Sequence, residues 1–121
     1  MRKTLFIVLG LNLLLEGLTA ARLMTLPLQL EDFDAATQGG FVLYGYAALA
    51  AAVSIAFFLK YSDTESSLAL GLGLLSTFHF SMAIACFTIS MAPGVIGHGL
   101  LFAAFAFLFI NRRKCLPVVA T

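Results

Sequence analysis

The sequence predicts an all-α integral membrane protein, a four-transmembrane-helix bundle with N- and C-termini on the cytoplasmic side. Three observations carry this. The 121 residues are 61% hydrophobic and only 11% charged, which leaves too little polar side chain to cover a soluble globule. Four apolar runs, about 4–26, 41–60, 68–91 and 95–110, each approach the roughly 20 residues needed to cross about 30 Å of hydrocarbon. The cations are also segregated: six of the seven lysines and arginines fall at Arg2, Lys3, Lys60, Arg112, Arg113 and Lys114, all on one side of the alternating spans.

Each break between spans has turn chemistry. Pro27 and the polar stretch from Gln29 to Gly40 separate the first two runs, and Tyr61 to Ser67 separates the second from the third. Ala92-Pro93-Gly94 makes a tight hairpin before the fourth. Helices are expected rather than barrel strands, because a backbone in lipid must satisfy its own amides and none of the runs alternates apolar with polar residues. Four spans nearly exhaust the chain, so one domain over residues 1–121 is expected, without a separate soluble catalytic domain. The acidic residues Glu31, Asp32 and Asp34 sit in the long loop opposite the cations. The positive-inside rule then puts both termini in the cytoplasm and the protein in the cell (inner) membrane as a multi-pass chain.

The first span also has features of a secretory signal: Met1-Arg2-Lys3, an apolar stretch, and Leu18-Thr19-Ala20 before Ala21. Leu18 is bulky where a small residue is wanted, Glu16 is a poor guest in such a segment, and hydrophobicity resumes through Leu28. The span therefore reads as permanent. Cys86 in span three and Cys115 in the tail lie too far apart for a disulfide, and no redox pair is expected.

The candidate chemistry is in the polar residues of the spans, since an ionisable group in hydrocarbon costs about 3 kcal/mol on insertion scales. Asn12, Glu16 and Thr19 recur at i, i+4 and i+7 and make a polar stripe on span one. Ser76, His79, Ala83, Cys86 and Ser90 make a small, polar seam on span three. Glu16 and His79 fall at similar depth, which suggests a protonatable pair at mid-membrane. Arg22, Cys86 and His98 form a shallower layer toward the outer face, with Arg22 or His98 as an outer contact for an anionic or polar group. Gly97 and Gly99 flank His98 and serve either ring access or helix contact, Gly99 with Ala103. Gly45, Ala48, Ala52 and Ala56 give span two a small-residue packing face. Phe102, Phe105 and Phe109 share one side of span four and read as lipid or core contacts.

Leu15-Glu16-Gly17, with Thr19 on the same face, resembles the small multidrug resistance transporters, which are of similar length, have four helices with a membrane-embedded glutamate in the first, and act as dimers. The chain departs from that family in lacking Trp and in carrying intramembrane histidines. The resemblance implies only that one carboxylate in a four-helix protein can couple proton and substrate movement.

Three functions follow. The leading expectation is proton-coupled transport, or binding of a small or lipid-soluble ligand, by a homo-oligomer in the lipid bilayer, using Glu16 and His79 with Asn12, Thr19, Arg22, Cys86 and His98. The alternative is an accessory or assembly subunit of a larger membrane complex, docking through the face of span two. The third is haem or metal binding through His79 and His98, against which the expected offset in their depths counts. No cofactor is required by the sequence. An enzyme is the least favoured class, as no activated nucleophile or phosphate loop is visible, and near-neutral charge disfavours nucleic acid as a partner.

Overall fold

The computed structural model describes residues 1–25 and 34–117. Four helices are long and apolar enough to cross a membrane: α1 (Arg2–Thr25), α2 (Ala35–Tyr61), α3 (Glu65–Thr88) and α4 (Ala92–Ile110). A 3-10 turn, Arg112–Cys115, follows. Pro27, Glu31 and Asp32 lie outside the described residues.

The helices begin earlier than the hydrophobic runs do, and at α2 and α3 capping side chains start them. α2 opens at Ala35 within the stretch expected to be loop, two residues ahead of Thr37 and well before Gly39 and Gly40. Asp34 is the reason. Its Oδ1 accepts from the Ala36 and Thr37 amides at 2.9 and 3.0 Å, and its Oδ2 from the Thr37 hydroxyl at 2.8 Å. These bonds satisfy amides that a helix start leaves without partners. They also hold the Asp34 carboxyl below its ordinary range, the Thr37 amide contributing most. Thr64 caps α3 in the same way, accepting from the Ser67 amide at 3.1 Å.

The connection between α3 and α4 is as long as the spacing of the runs predicts but lies three residues earlier. Pro93 and Gly94 belong to the first turn of α4, where proline's missing amide costs nothing. Only Ile89, Ser90 and Met91 remain between the helices. The Met91 amide bonds the Cys86 carbonyl at 2.8 Å and the Ser90 amide bonds that of Phe87 at 3.1 Å, the two closures of a Schellman motif. The residue in left-handed conformation is Ser90, at φ 57°. A side chain there costs about 1 kcal/mol that glycine avoids. Ser90→Gly should therefore raise stability by about 1 kcal/mol, read as a higher denaturant midpoint with unchanged helix content.

Contacts divide the chain into two compact units, Met1–Val8 with Phe58–Thr121, and Leu9–Phe57. In the first, α3 and α4 pack as an antiparallel hairpin. Gly94 lies against Cys86 near the turn, Phe80 against Phe102 in the middle, and Gly73 against Phe109 further on. At the far end Arg113 Nε donates to both Glu65 oxygens at 2.9 and 3.0 Å. Arg2 joins the same end: its guanidinium reaches the Ser62 and Cys115 carbonyls at 3.4 and 3.2 Å and the Asp63 carboxylate at 2.7 Å. The start of α1, the α2–α3 turn and the C-terminal turn are thereby tied together, so the segregated cations are one patch.

In the second unit, Gly45 on α2 permits close approach of α1. A Cβ built there would fall 2.8 Å from Met24 Cγ and 3.2 Å from the Met24 amide nitrogen. Gly45, Ala48 and Ala52 are buried, and with them Ile55 rather than the exposed Ala56. The small-residue face expected to await a docking partner is thus covered by the chain itself. Gly97 and Gly99 have no neighbouring atom within 4 Å of a built Cβ, so the helix contact expected through Gly99 and Ala103 does not form.

Both cysteines are free and buried. Cys115, outside the helices long enough to span, has its thiol pushed up from the ordinary range by burial, with the N-terminus and Arg2 opposing. Thiolate is the reactive form, so a water-soluble alkylating reagent should leave Cys115 unmodified in the folded protein at neutral pH and label it after unfolding in detergent. Rapid labelling of the folded chain, seen by mass spectrometry, would contradict this burial.

Candidate functional site: a buried acid and two histidines

The hydrophobic repeat of α3 delivers His79 to the inside. Leu68, Leu72, Leu75 and His79 recur at four, three and four residues and are all buried, so an imidazole takes the next position of a leucine stripe. On α4 the buried positions are His98, Phe105 and Leu108, at steps of seven and three. The short turn brings the two histidines together. His79 lies nine residues before the end of α3 and His98 six after the start of α4, an axial mismatch of about 4–5 Å that imidazole side chains span.

His79 Nδ1 and His98 Nδ1 are 2.9 Å apart, with ring centroids 5.2 Å apart and planes inclined by 30°. One of the two nitrogens must carry a proton and the other a lone pair, so the rings are held in different tautomers whenever both are neutral. Aromatic side chains wall them in. Phe105 stacks on His79 at 5.4 Å and 13°, while Phe78 stands edge-on to His79 and His98 at 5.1 and 6.4 Å. The expected offset between a deep His79 and a shallow His98 is overturned by this contact. Stacked, hydrogen-bonded rings also leave no room for a macrocycle between them, so the pair does not fit the axial ligation of haem.

On α1 the buried residues are Leu5, Leu9, Asn12, Glu16 and Ala20, again at helical spacing. Asn12 and Glu16 are wholly buried, which agrees with the inward stripe read from the sequence; Thr19 is half-buried. The Asn12 amide has no hydrogen-bond partner for either its oxygen or its nitrogen among the described residues, and neither has Ser76 Oγ, which lies one turn before His79. Such groups each cost about 1–3 kcal/mol when left so.

Glu16 is wholly buried on α1 in the second unit, and the His79–His98 pair is buried in the first. The remaining site residues expected from the sequence stand elsewhere. Arg22 is exposed in the last turn of α1, where a cation suits the helix dipole. Cys86 is buried beneath Gly94 at the α3–α4 turn, a packing position. What sequence reading missed is that His98 joins His79; the signal available was the position of Pro93, which starts α4 early enough to align them.

Two imidazoles in hydrogen-bond contact can hold and pass a proton, and a buried carboxylate can hold one as well. No protein-family model, curated protein or solved structure matches the chain.

Proposed function

We propose that the chain is a multi-pass protein of the cell membrane in which the His79–His98 pair and the buried Glu16 bind protons as a small polar or lipid-soluble ligand is taken up, as in proton-coupled transport. The observation that carries this reading is the His79–His98 hydrogen bond of 2.9 Å, buried among aromatic rings; Glu16 is wholly buried on α1. Ionisable groups persist in so apolar a setting at a cost of about 3 kcal/mol each. Asn12, one turn before Glu16, supplies an amide whose donor and acceptor a polar ligand would satisfy. Glu16 is the coupling carboxylate, the histidine pair its proton store, and the assembly a homo-oligomer, since a chain this small encloses little volume.

The test is a proton count. Purified protein in mild detergent is titrated with acid, and wild type is compared with Glu16→Gln and His98→Gln; proteoliposomes with an internal pH dye then report proton flux. Wild type should bind at least one proton more than each variant and carry a flux that both lose. Superimposable titrations would sink the reading.

A further inference from the structure

The cationic end of the first unit is more than a topology signal. Six cations, Arg2, Lys3, Lys60, Arg112, Arg113 and Lys114, meet two carboxylates, Asp63 and Glu65, in the segments gathered there. The carboxylates are spoken for by Arg2, Arg112 and Arg113. Lys114 and Lys3 remain exposed, and Arg113, which gives only its Nε to Glu65, has its side chain 80% accessible. A cavity of about 320 Å³ opens at this end, lined by Ile110, Asn111, Arg112, Arg113 and Lys114. Inside the turn, Arg112 Nε is buried with no hydrogen-bond partner among the described residues.

The side of the cavity toward α4 is apolar and continues along the helix. Ile96, Leu100, Ala103, Phe107 and Ile110 recur at four, three, four and three residues and are all exposed, Ile110 at 76%. They form an open stripe that ends at the basic turn. A charged pocket alone would suit any phosphate, whereas a charged pocket at the foot of an apolar stripe fits a phosphate that carries an acyl chain.

We propose that this is a binding site for an anionic phospholipid, its headgroup phosphate held by Arg113 and Lys114 beside the Glu65-bound Arg112, and its acyl chain laid on the Ile96–Ile110 stripe. A guanidinium fork binds phosphate through paired N–H donors, and a lysine adds a point charge. The assignment rests on the reading of the chain as a membrane protein, and is independent of what Glu16, His79 and His98 do.

The experiment is flotation of the purified protein with vesicles of phosphatidylcholine alone or with one part in four phosphatidylglycerol, at low and high salt, followed by native mass spectrometry of lipid retained in detergent. The protein should float with both vesicles and retain phosphatidylglycerol preferentially. Lys114→Gln should lower that retention about fivefold at low salt, Ile110→Gln should lower it too, and Lys60→Gln, a cation of the same end that does not line the cavity, should leave it unchanged. Inorganic phosphate should not compete. Equal retention of the two lipids, an equal loss in Lys60→Gln, or full competition by inorganic phosphate would each overturn the proposal. Failure to float with either vesicle would instead overturn the membrane reading on which it rests.

Discussion

His79→Phe and His98→Phe, made singly, should each destabilise the folded protein by about 2–3 kcal/mol, and the double replacement should cost clearly less than their sum. The reasoning starts from the 2.9 Å bond between the two Nδ1 atoms. A single replacement removes that bond and confronts the surviving ring with an apolar edge, which costs about 1–3 kcal/mol in a buried setting, while phenylalanine keeps the stacking on Phe105 and Phe78. Replacing both partners removes the penalty, because apolar groups of like shape can substitute for a buried polar pair with little net loss. Coupling of about 1–2 kcal/mol is therefore expected in the double-mutant cycle. Helix content followed through detergent or guanidinium unfolding measures it. The double variant also separates structure from function. If the pair exists only as an interhelical tie, the double variant keeps whatever the protein does; if the proton site is the function, it folds and is inactive. Strict additivity would mean that the two rings do not depend on each other.

Gly45 should tolerate no side chain. Alanine there brings a Cβ to 2.8 Å from Met24 Cγ and 3.2 Å from the Met24 backbone nitrogen, with Leu23 Cβ at 3.4 Å. The methionine tip can rotate away, but the backbone nitrogen moves only if α1 moves with it. Overpacking of this kind costs about 1–3 kcal/mol, partly offset by the gain of up to about 1 kcal/mol from removing glycine from a helix interior. Gly45→Ala should thus lose about 1–2 kcal/mol net, and Gly45→Leu, whose further atoms have nowhere to go, more than about 3 kcal/mol. Gly17 on α1 is the internal control, since nothing lies within 4 Å of its built Cβ. There Gly17→Ala should be neutral or stabilising by about 1 kcal/mol. Equal effects at the two glycines, in the same unfolding assay, would show that α1 and α2 do not approach as described.

Particular residues show how much of this was legible from the chain. Asn12 and Glu16 were visible because polar residues at i and i+4 on an apolar helix have one economical orientation, inward, and both are buried. The leucine stripe that carries His79 inward was visible for the same reason. The start of α2 was misplaced because hydropathy registers Gln38, Gly39 and Gly40 as loop, whereas the Asp34 carboxylate, a contact between neighbours in sequence, begins the helix at Ala35. The burial of Gly45, Ala48 and Ala52 within the chain was unreadable as such, because a small-residue face looks identical whether its partner is this chain or another.

The sequence by itself determined the number and type of the spans, because composition and the length of the apolar runs predict four helices long and apolar enough to cross a membrane, each satisfying its backbone amides within its own segment. It also determined which end carries charge, since the positions of six cations are a property of order along the chain. Only the tertiary structure decided that His79 and His98 touch. Their registry depends on where α3 stops and α4 starts, and that is set by a left-handed Ser90, a Schellman closure and a proline in the first turn of α4. A shift of three residues in that turn moves a side chain by about 4–5 Å along its helix, enough to separate two rings held 2.9 Å apart. Contact of the two rings was a matter of ångströms, and distances of that size arise from packing rather than from the order of residues.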